Sequence, residues 1–390
     1  MSRFYSYLNS AVQIITQYKG EETFASFLKK YFPRYKKYGS KDRKQISHLC
    51  YCYFRPGRSL METPVEERIL TGLFLCSNEP NEIIEKLRPE WNEQIGLPAS
   101  KKLLIIDYSL LIENVFPWRD ELSDEINYEK FAESFFIQPD LFLRLRHGYE
   151  KLVKGKLADK GIEFKEVDSN CLSLSNASKI ENIIELDKEA VVQDHNSQRT
   201  ADIFKVAIDH LPASIHAWDC CAGSGGKSLL LYDLHANIDL TVSDIRESIL
   251  INLKKRFAKA GIRKYRSFVA DLAQNNFKLQ TSNFELIICD VPCTGSGTWS
   301  RTPEQLYFFD KKKIEYYSSL QKKIVSNVIP HLKEDSFFIY ITCSVFKKEN
   351  EGVVDFIRSN LSLELMKAEW LKGYDKKADT MFISVFKRRS

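Results

Sequence analysis

Apolar positions recur at helical spacing along the first third of the chain, in Leu8, Ala11 and Ile15 and again in Phe24, Phe27 and Leu28, and Ser40-Lys-Asp-Arg reads as a helix start. The stretch from Ser2 to about Leu122 is therefore predicted to be all-helical. The pattern changes between Phe131 and Asp194. Here Leu141-Phe-Leu-Arg-Leu-Arg146 precedes a basic amphipathic run from Tyr149 to Lys160, followed by Glu163-Phe-Lys-Glu-Val167 and Cys171-Leu-Ser-Leu-Ser175. Strand, helix, strand, strand predicts a small α+β module. From Gln193 onward strands near 215–220, 239–243, 265–269, 284–290, 335–342 and 381–386 alternate with helices such as Glu247 to Ala260 and Lys311 to Leu332. Such alternation predicts a doubly wound parallel sheet, with Thr380 to Phe386 joining it as an antiparallel edge. The expected domains are 1–125, 126–192 and 193–390.

Composition narrows the setting. With 390 residues, 44% hydrophobic and 28% charged, the chain is long enough for two or three cores and does not read as disordered. No apolar run approaches the roughly 20 residues that span a bilayer, and Met1-Ser-Arg-Phe-Tyr lacks a secretory pattern. A cytoplasmic protein with reduced thiols and no membrane partner is expected. The nine cysteines form no Cys-x-x-Cys pair, and Cys50-x-Cys52 has the wrong spacing for zinc, so no metal is expected.

Charge is uneven. Residues 1–60 hold 12 Lys/Arg against 3 Asp/Glu, whereas residues 61–130 hold 7 against 15. Tyr31-Phe-Pro-Arg-Tyr-Lys-Lys-Tyr-Gly-Ser-Lys-Asp-Arg-Lys44 interleaves rings with cations, which suits phosphate attraction and base stacking as well as it suits a solvated surface. Lys36, Lys37 and Arg43 there, Arg144 and Arg146 on the first strand, and Arg301 are the candidate RNA-binding residues.

The chemistry concentrates at predicted strand ends. Asp290-Val-Pro292-Cys293 and, fifty positions on, Thr342-Cys343-Ser344 follow strand-like runs, where open α/β sheets bind ligands. Both thiols would then face one crevice. The first strand-to-helix turn, Asp219-Cys-Cys221-Ala222-Gly223-Ser224-Gly225-Gly226-Lys227-Ser228, is glycine-rich. It fails as a P-loop because Cys221 takes the first glycine position, and as a dinucleotide fingerprint because Ser228 takes the third. S-adenosylmethionine is the best remaining ligand. Asp244, 21 positions past Gly223, is placed to accept ribose hydroxyls, and Asp271 to reach an adenine amino group.

Five signatures appear in order: Gln193-Asp194-x-x-Ser197-Gln198, Asp219-x-Cys221-Ala-x-x-Gly225-Gly226-Lys227, Asp290-x-Pro292-Cys293-x-Gly295-x-Gly297, Arg301-x-Pro303 and Tyr340-x-Thr342-Cys343-Ser344-x-x-x-x-Glu349-Asn350. Together they closely resemble the RNA (cytosine-5) methyltransferases, and the helical region is similar to the NusB-like domain of the bacterial ribosomal-RNA branch. The resemblance implies a class I methyltransferase Rossmann-like sheet preceded by the α+β module and the NusB-like domain. It further implies that Cys343 is the nucleophile adding to cytosine C6, that Cys293 assists breakdown of the adduct, and that Asp290 donates a proton to N3, for which burial would have to favour its acid form. The cofactor contacts expected are Cys221 to Lys227, Asp244, Asp271 and Asp290. One departure stands out: Gly223-Ser224 replaces the family's usual Ala-Pro, which implies a more flexible loop.

Other readings fit less well. A noncatalytic RNA-binding assembly factor on this scaffold would be expected to lack a cysteine or a cofactor carboxylate, and all are present. Methylation of an exocyclic amine needs no thiol, and DNA cytosine methylation uses a single nucleophile in Pro-Cys. Ribosomal RNA is the favoured substrate, transfer RNA the second, and a monomer is expected.

Overall fold

A computed structural model describes residues 3–35, 37–106, 111–235, 237–274, 277, 279 and 283–389. The chain folds into two compact units, one formed by residues 1–122, 126–138 and 298–311, the other by 123–125, 139–297 and 312–390.

The first unit is helical, as its apolar periodicity predicts. Arg3–Gln17, Phe24–Tyr31, Ser40–Phe54 and Val65–Cys76 are its longer helices. Leu8, Ala11, Ile15, Phe24 and Leu28 are buried, and Phe27 packs against that core from a partly buried position. At the expected helix start, the Asp42 carboxylate accepts the Gly39 N–H at 3.0 Å, satisfying a donor the helix cannot. A later segment completes this unit. Trp299 and Phe309 are buried, and Glu304 accepts the Phe24 N–H at 3.1 Å. A contiguous domain over 193–390 therefore does not describe residues 298–311, whose large apolar side chains find their core among the helices.

The second unit contains two sheets. β1 (Leu141–Leu145), β2 (Phe164–Asp168), β3 (Cys171–Leu174) and β4 (Ala190–Val192) form an antiparallel sheet in the order β2-β3-β1-β4. β4 has only three residues, too few for a periodic signal. β5 (Ile215–Asp219), β6 (Ile238–Asp244), β7 (Tyr265–Val269), β8 (Phe284–Asp290), β9 (Leu332–Thr342), β10 (Leu363–Leu371) and β11 (Met381–Arg388) form the larger sheet, in the order β10-β11-β9-β8-β5-β6-β7. β5 to β9 run parallel, while β11 is antiparallel to both β9 and β10. The final strand is thus not an edge as expected: it lies between β9 and β10. β10 escapes prediction because exposed Glu364, Lys367 and Ala368 interrupt its apolar positions, as an edge strand allows.

Alternation in the central strands feeds two cores. Cys289, Phe338 and Tyr340 point to one face with Trp218, while Ala217, Leu286, Ile288, Ile339 and Ile341 point to the other. Covering both faces explains the near-continuous apolar run of β8. It also forces polar chemistry to the strand ends, where β5, β6, β8 and β9 release their loops.

Candidate active site

The thiols of Cys293 and Cys343 lie 3.3 Å apart, one in the loop after β8 and the other after the neighbouring parallel strand β9. Several bonds hold these loops in register. The Gly297 N–H donates to Cys343 O at 2.8 Å, and Gly297 O accepts the Thr380 N–H at 2.9 Å. A Cβ at Gly297 would stand 2.0 Å from Thr380 O and 3.0 Å from Cys343 O, so only glycine permits the approach. Glu349, fully buried, accepts Thr294 Oγ1 and Ser344 Oγ at 2.6 Å each, the Thr294 N–H at 2.9 Å and Gln321 Nε2 at 3.0 Å. Asn350 accepts the Thr342 hydroxyl at 2.5 Å and donates to Ser344 O at 2.9 Å. Burial pushes the Glu349 carboxyl up, with the Ser344 and Thr294 donors opposing it. The Cys293 thiol is raised well above its ordinary range, first by its hydrogen bond to Cys343 and then by burial.

The glycine turn after β5 is built for close approach. Gly225 caps the helix Gly226–Leu234 at φ +83°, and a Cβ there would meet the Phe257 ring at 2.7 Å. The Gly223 N–H donates to Asp244 Oδ2 at 3.0 Å, and Asp244 Oδ1 accepts the Arg246 N–H at 2.9 Å. Ser224 is not loose, as the departure from Ala-Pro implies: Arg256 donates to its carbonyl and its hydroxyl at 3.0 Å each, and pairs with Asp187 at 2.8 Å. Beneath the turn, Ser228 Oγ donates to Asp219 Oδ2 at 2.6 Å. Burial pushes the Asp219 carboxyl up to about 7, against the pull of the Ser228 hydroxyl.

Beside the turn lies a cavity of about 440 Å³ lined in part by Cys221, Asp244, Ile245, Asp271, Asp290 and Tyr317. Ile245 is 59% exposed, presenting an apolar face. Asp271 Oδ1 accepts the Ala273 N–H at 3.0 Å. Asp290 is not deeply buried as its expected role requires. Its side chain is 29% exposed and lies 2.5 Å from Lys227 Nζ. Burial alone would lower the Lys227 ammonium, but Asp290 overrides it and the Cys343 sulfur adds to the net upward shift.

Comparison with known proteins bears on this arrangement. Residues 207–386 match the family model described as 16S rRNA methyltransferase RsmB/F. That stretch, a little under half of the chain, is similar to the RsmB/F methyltransferases. The ribosomal RNA small subunit methyltransferase B of Xanthomonas campestris is 28% identical over 165 residues, covering 42% of this chain and 37% of that protein. The Escherichia fergusonii protein of the same name is 30% identical over 155 residues, covering 38% and 35%. The matches thus span little more than a third of the length of these relatives. Among solved structures, PH0851 aligns over 98% of each chain with a TM-score of 0.71 at 17% identity. NSun6 from Pyrococcus horikoshii with SFG aligns over 72% of this chain and 97% of its own, with a TM-score of 0.60 at 14% identity. These likenesses concern the fold, which is that of class I methyltransferases.

Within residues 207–386 the structure brings Cys293, Cys343, Asp290 and Lys227 to one end of the sheet, next to Cys221–Gly226, Asp244 and Asp271. Cys221 has an unexpected environment: its sulfur and those of buried Cys220 and Cys289 lie within 4.8 Å of one another. Hydrogen bonds from Cys220 and then Cys289 draw the Cys221 thiol down to about 5. The basic candidates diverge. Arg144, 3% exposed, donates to Asp233 Oδ2 at 2.5 Å and to Gln193 Oε1 at 2.8 Å. Arg146 donates to Asp233 Oδ1 at 2.7 Å and to Ala260 O at 2.9 Å. Both are turned inward, a correction to their reading as phosphate contacts. Lys37 and Arg43 are exposed, Arg301 is partly buried within the helical unit, and Lys36 lies outside the described residues. Glu349 and Asn350 were visible in the sequence only as part of a motif. Gln321, Arg256 and Tyr317 carry no sequence signal, since their roles arise from packing between distant elements.

Proposed function

We propose that the chain methylates C5 of cytosine in RNA, with small-subunit ribosomal RNA the first candidate substrate and transfer RNA the second. The observation that carries this reading is the 3.3 Å pairing of Cys293 and Cys343 at adjacent strand ends beside a cavity edged by Asp244, Asp271 and Asp290. S-adenosylmethionine in that cavity would supply an electrophilic methyl group. The residues suit it: an open space beside Gly223, a carboxylate at the end of β6 for ribose hydroxyls, the exposed face of Ile245 for a flat ring and Asp271 for an exocyclic amine.

The chain's own residues divide the remaining work. Cys343 attacks C6, forming a C–S bond while the C5–C6 electron pair shifts into the ring and makes C5 nucleophilic. Lys227, whose ammonium Cys343 and Asp290 both favour, supplies the positive charge that helps a thiolate form. Asp290, placed at N3 and paired with the Lys227 ammonium, takes a proton from that ammonium and passes it to N3 as the adduct forms, leaving the Lys227 amine neutral. After C5 is methylated, a solvent water accepts its proton, the C5–C6 double bond is restored, the Cys343 sulfur leaves as a thiolate, and N3 returns its proton through Asp290 to Lys227. Cys293, held in its thiol form by the hydrogen bond to Cys343, stabilises the departing thiolate. Lys37, Arg43 and Arg301 are proposed RNA contacts.

A denaturing gel tests the assignment. RNA carrying 5-azacytosine should trap the wild-type chain, Cys293→Ala should accumulate a denaturant-resistant adduct on unmodified RNA, and Cys343→Ala should form none. Adduct with Cys343→Ala and none with Cys293→Ala would reverse the roles; no adduct under any condition would remove covalent catalysis. Bisulfite sequencing of RNA from cells with and without the protein identifies the target cytosine.

A further inference from the structure

Away from the paired thiols, the hairpin β2–β3 and the helix His195–Ile208 bring three unlike donors together. Asp168 and Cys171 are cross-strand partners on either side of the two-residue turn Ser169-Asn170, so their side chains share one face. His195 opens the helix and turns its Nε2 to within 3.6 Å of Asp168 Oδ2. The carboxylate, thiol and imidazole ligand atoms all lie within 4.8 Å of one another. His195 is 6% exposed, and its Nδ1 has no hydrogen-bond partner among the described residues. Phe142 stacks on that ring at 5.7 Å and fixes its plane. Cys171 is fully buried while Asp168 is 47% exposed, so the cluster has a closed side and a side open to water.

We infer that Asp168, Cys171 and His195 form a binding site for a divalent transition metal of borderline hardness, zinc above all. One thiolate, one imidazole and one carboxylate is a donor set zinc accepts in tetrahedral geometry, with water in the fourth position. Zinc–ligand bonds of about 2.0 to 2.3 Å place tetrahedral ligand atoms roughly 3.3 to 3.8 Å apart, a range that holds the 3.6 Å between Asp168 and His195 and lies inside the 4.8 Å limit of the cluster. On binding, the Cys171 thiol releases its proton to solvent and the sulfur bonds to the ion. The ion would staple the hairpin to the Gln193–Gln198 segment, where Gln198 Nε2 already donates to Gln193 O at 2.8 Å. A search for paired cysteines overlooks this site because it holds only one.

Equilibrium titration of the chelator-treated full chain against a chromophoric zinc chelator tests the site, with cobalt as a spectroscopic substitute. The wild type should take up one equivalent of zinc, and its cobalt form should show sulfur-to-cobalt charge transfer with tetrahedral d–d bands. Asp168→Asn, Cys171→Ser and His195→Gln should each weaken affinity at least tenfold, and Cys171→Ser should also abolish the charge-transfer band. Cys289→Ala should keep both. Asp168→Asn lies at the exposed side of the site and tests it even where a buried variant fails to fold. The proposal is overturned by a wild type that binds no stoichiometric zinc, by unchanged affinity in Asp168→Asn, or by charge transfer that survives Cys171→Ser and disappears in Cys289→Ala, which would place the ion at Cys220, Cys221 and Cys289.

Discussion

The Ser344 hydroxyl, one residue past the proposed nucleophile, donates to the buried Glu349 carboxylate at 2.6 Å, and the same oxygen accepts Thr294 Oγ1 from the loop that carries Cys293. One carboxylate therefore sets the separation of two thiols it does not touch. Glu349→Ala should cost roughly 3 kcal/mol or more, since several buried donors lose their partner. Glu349→Gln should cost less, because the two hydroxyls can rotate to accept from an amide. Urea denaturation would rank the variants, and methylation should fall about a hundredfold in the alanine form if the thiols shift by about 1 Å. Equal stability of the two variants would mean the hydrogen bonds contribute little.

Gly297→Ala tests the same register from the backbone. Its Cβ would meet Thr380 O, a main-chain atom immediately before β11, so the strain cannot relax through a side chain. A loss of roughly 3 kcal/mol and of RNA adduct formation is expected, read by thermal melting and the denaturing gel. A fully active, equally stable variant would show that the loops can separate without consequence.

Asp219 predicts a pH dependence of stability. Its carboxyl is raised from 3.8 to about 7, so between those values the folded chain holds a proton that the unfolded chain has lost. The stability from this group is complete below about pH 4 and declines until about pH 7. Asp219→Asn cannot ionise and can still accept from Ser228. Its stability relative to the wild type should rise by a few kcal/mol between pH 4 and pH 8. A pH-independent difference in urea midpoints would mean that Asp219 is not neutral in the folded chain.

Asp244→Ala should weaken S-adenosylmethionine binding by roughly 1.5 to 3 kcal/mol, the usual effect of losing hydrogen bonds to a charged group. Calorimetry measures it directly, and unchanged affinity would take Asp244 out of the cofactor site.

Charge reversal at Lys37 and Arg43 should reduce the slope of log RNA affinity against log salt by roughly one for each phosphate contact removed. The same change at Arg144 should instead destabilise the fold, because it would set like charges together at Asp233. Equal effects on the slope from both sites would contradict their difference in burial.

The sheet domain was legible because β5, β6, β8 and β9 are apolar runs that end in chemically distinctive loops, although the sheet reorders those ends in space as Cys343, Asp290, Asp219, Asp244. β10 was not, because an edge strand with one solvated face mixes charges into its pattern. Nor could the sequence separate Arg144 from Lys37: both are cations among apolar or aromatic residues, and only the position of Asp233, 89 residues beyond Arg144, decides that one is buried in an ion pair. Asp290 illustrates the same limit, since its partner Lys227 comes from another strand-to-helix turn.

Residues 298–311 leave the sheet unit after Gly297 and complete the helical one. During synthesis the amino-terminal helices would therefore emerge long before Trp299, Glu304 and Phe309, which fill out their core. The usual order, in which the first domain finishes folding before the second is made, does not apply. Until ribosomes pass Lys311 the nascent helical unit keeps an apolar surface uncovered, and a chain stopped at residue 138 should be bound by chaperones or aggregate where the full chain would not.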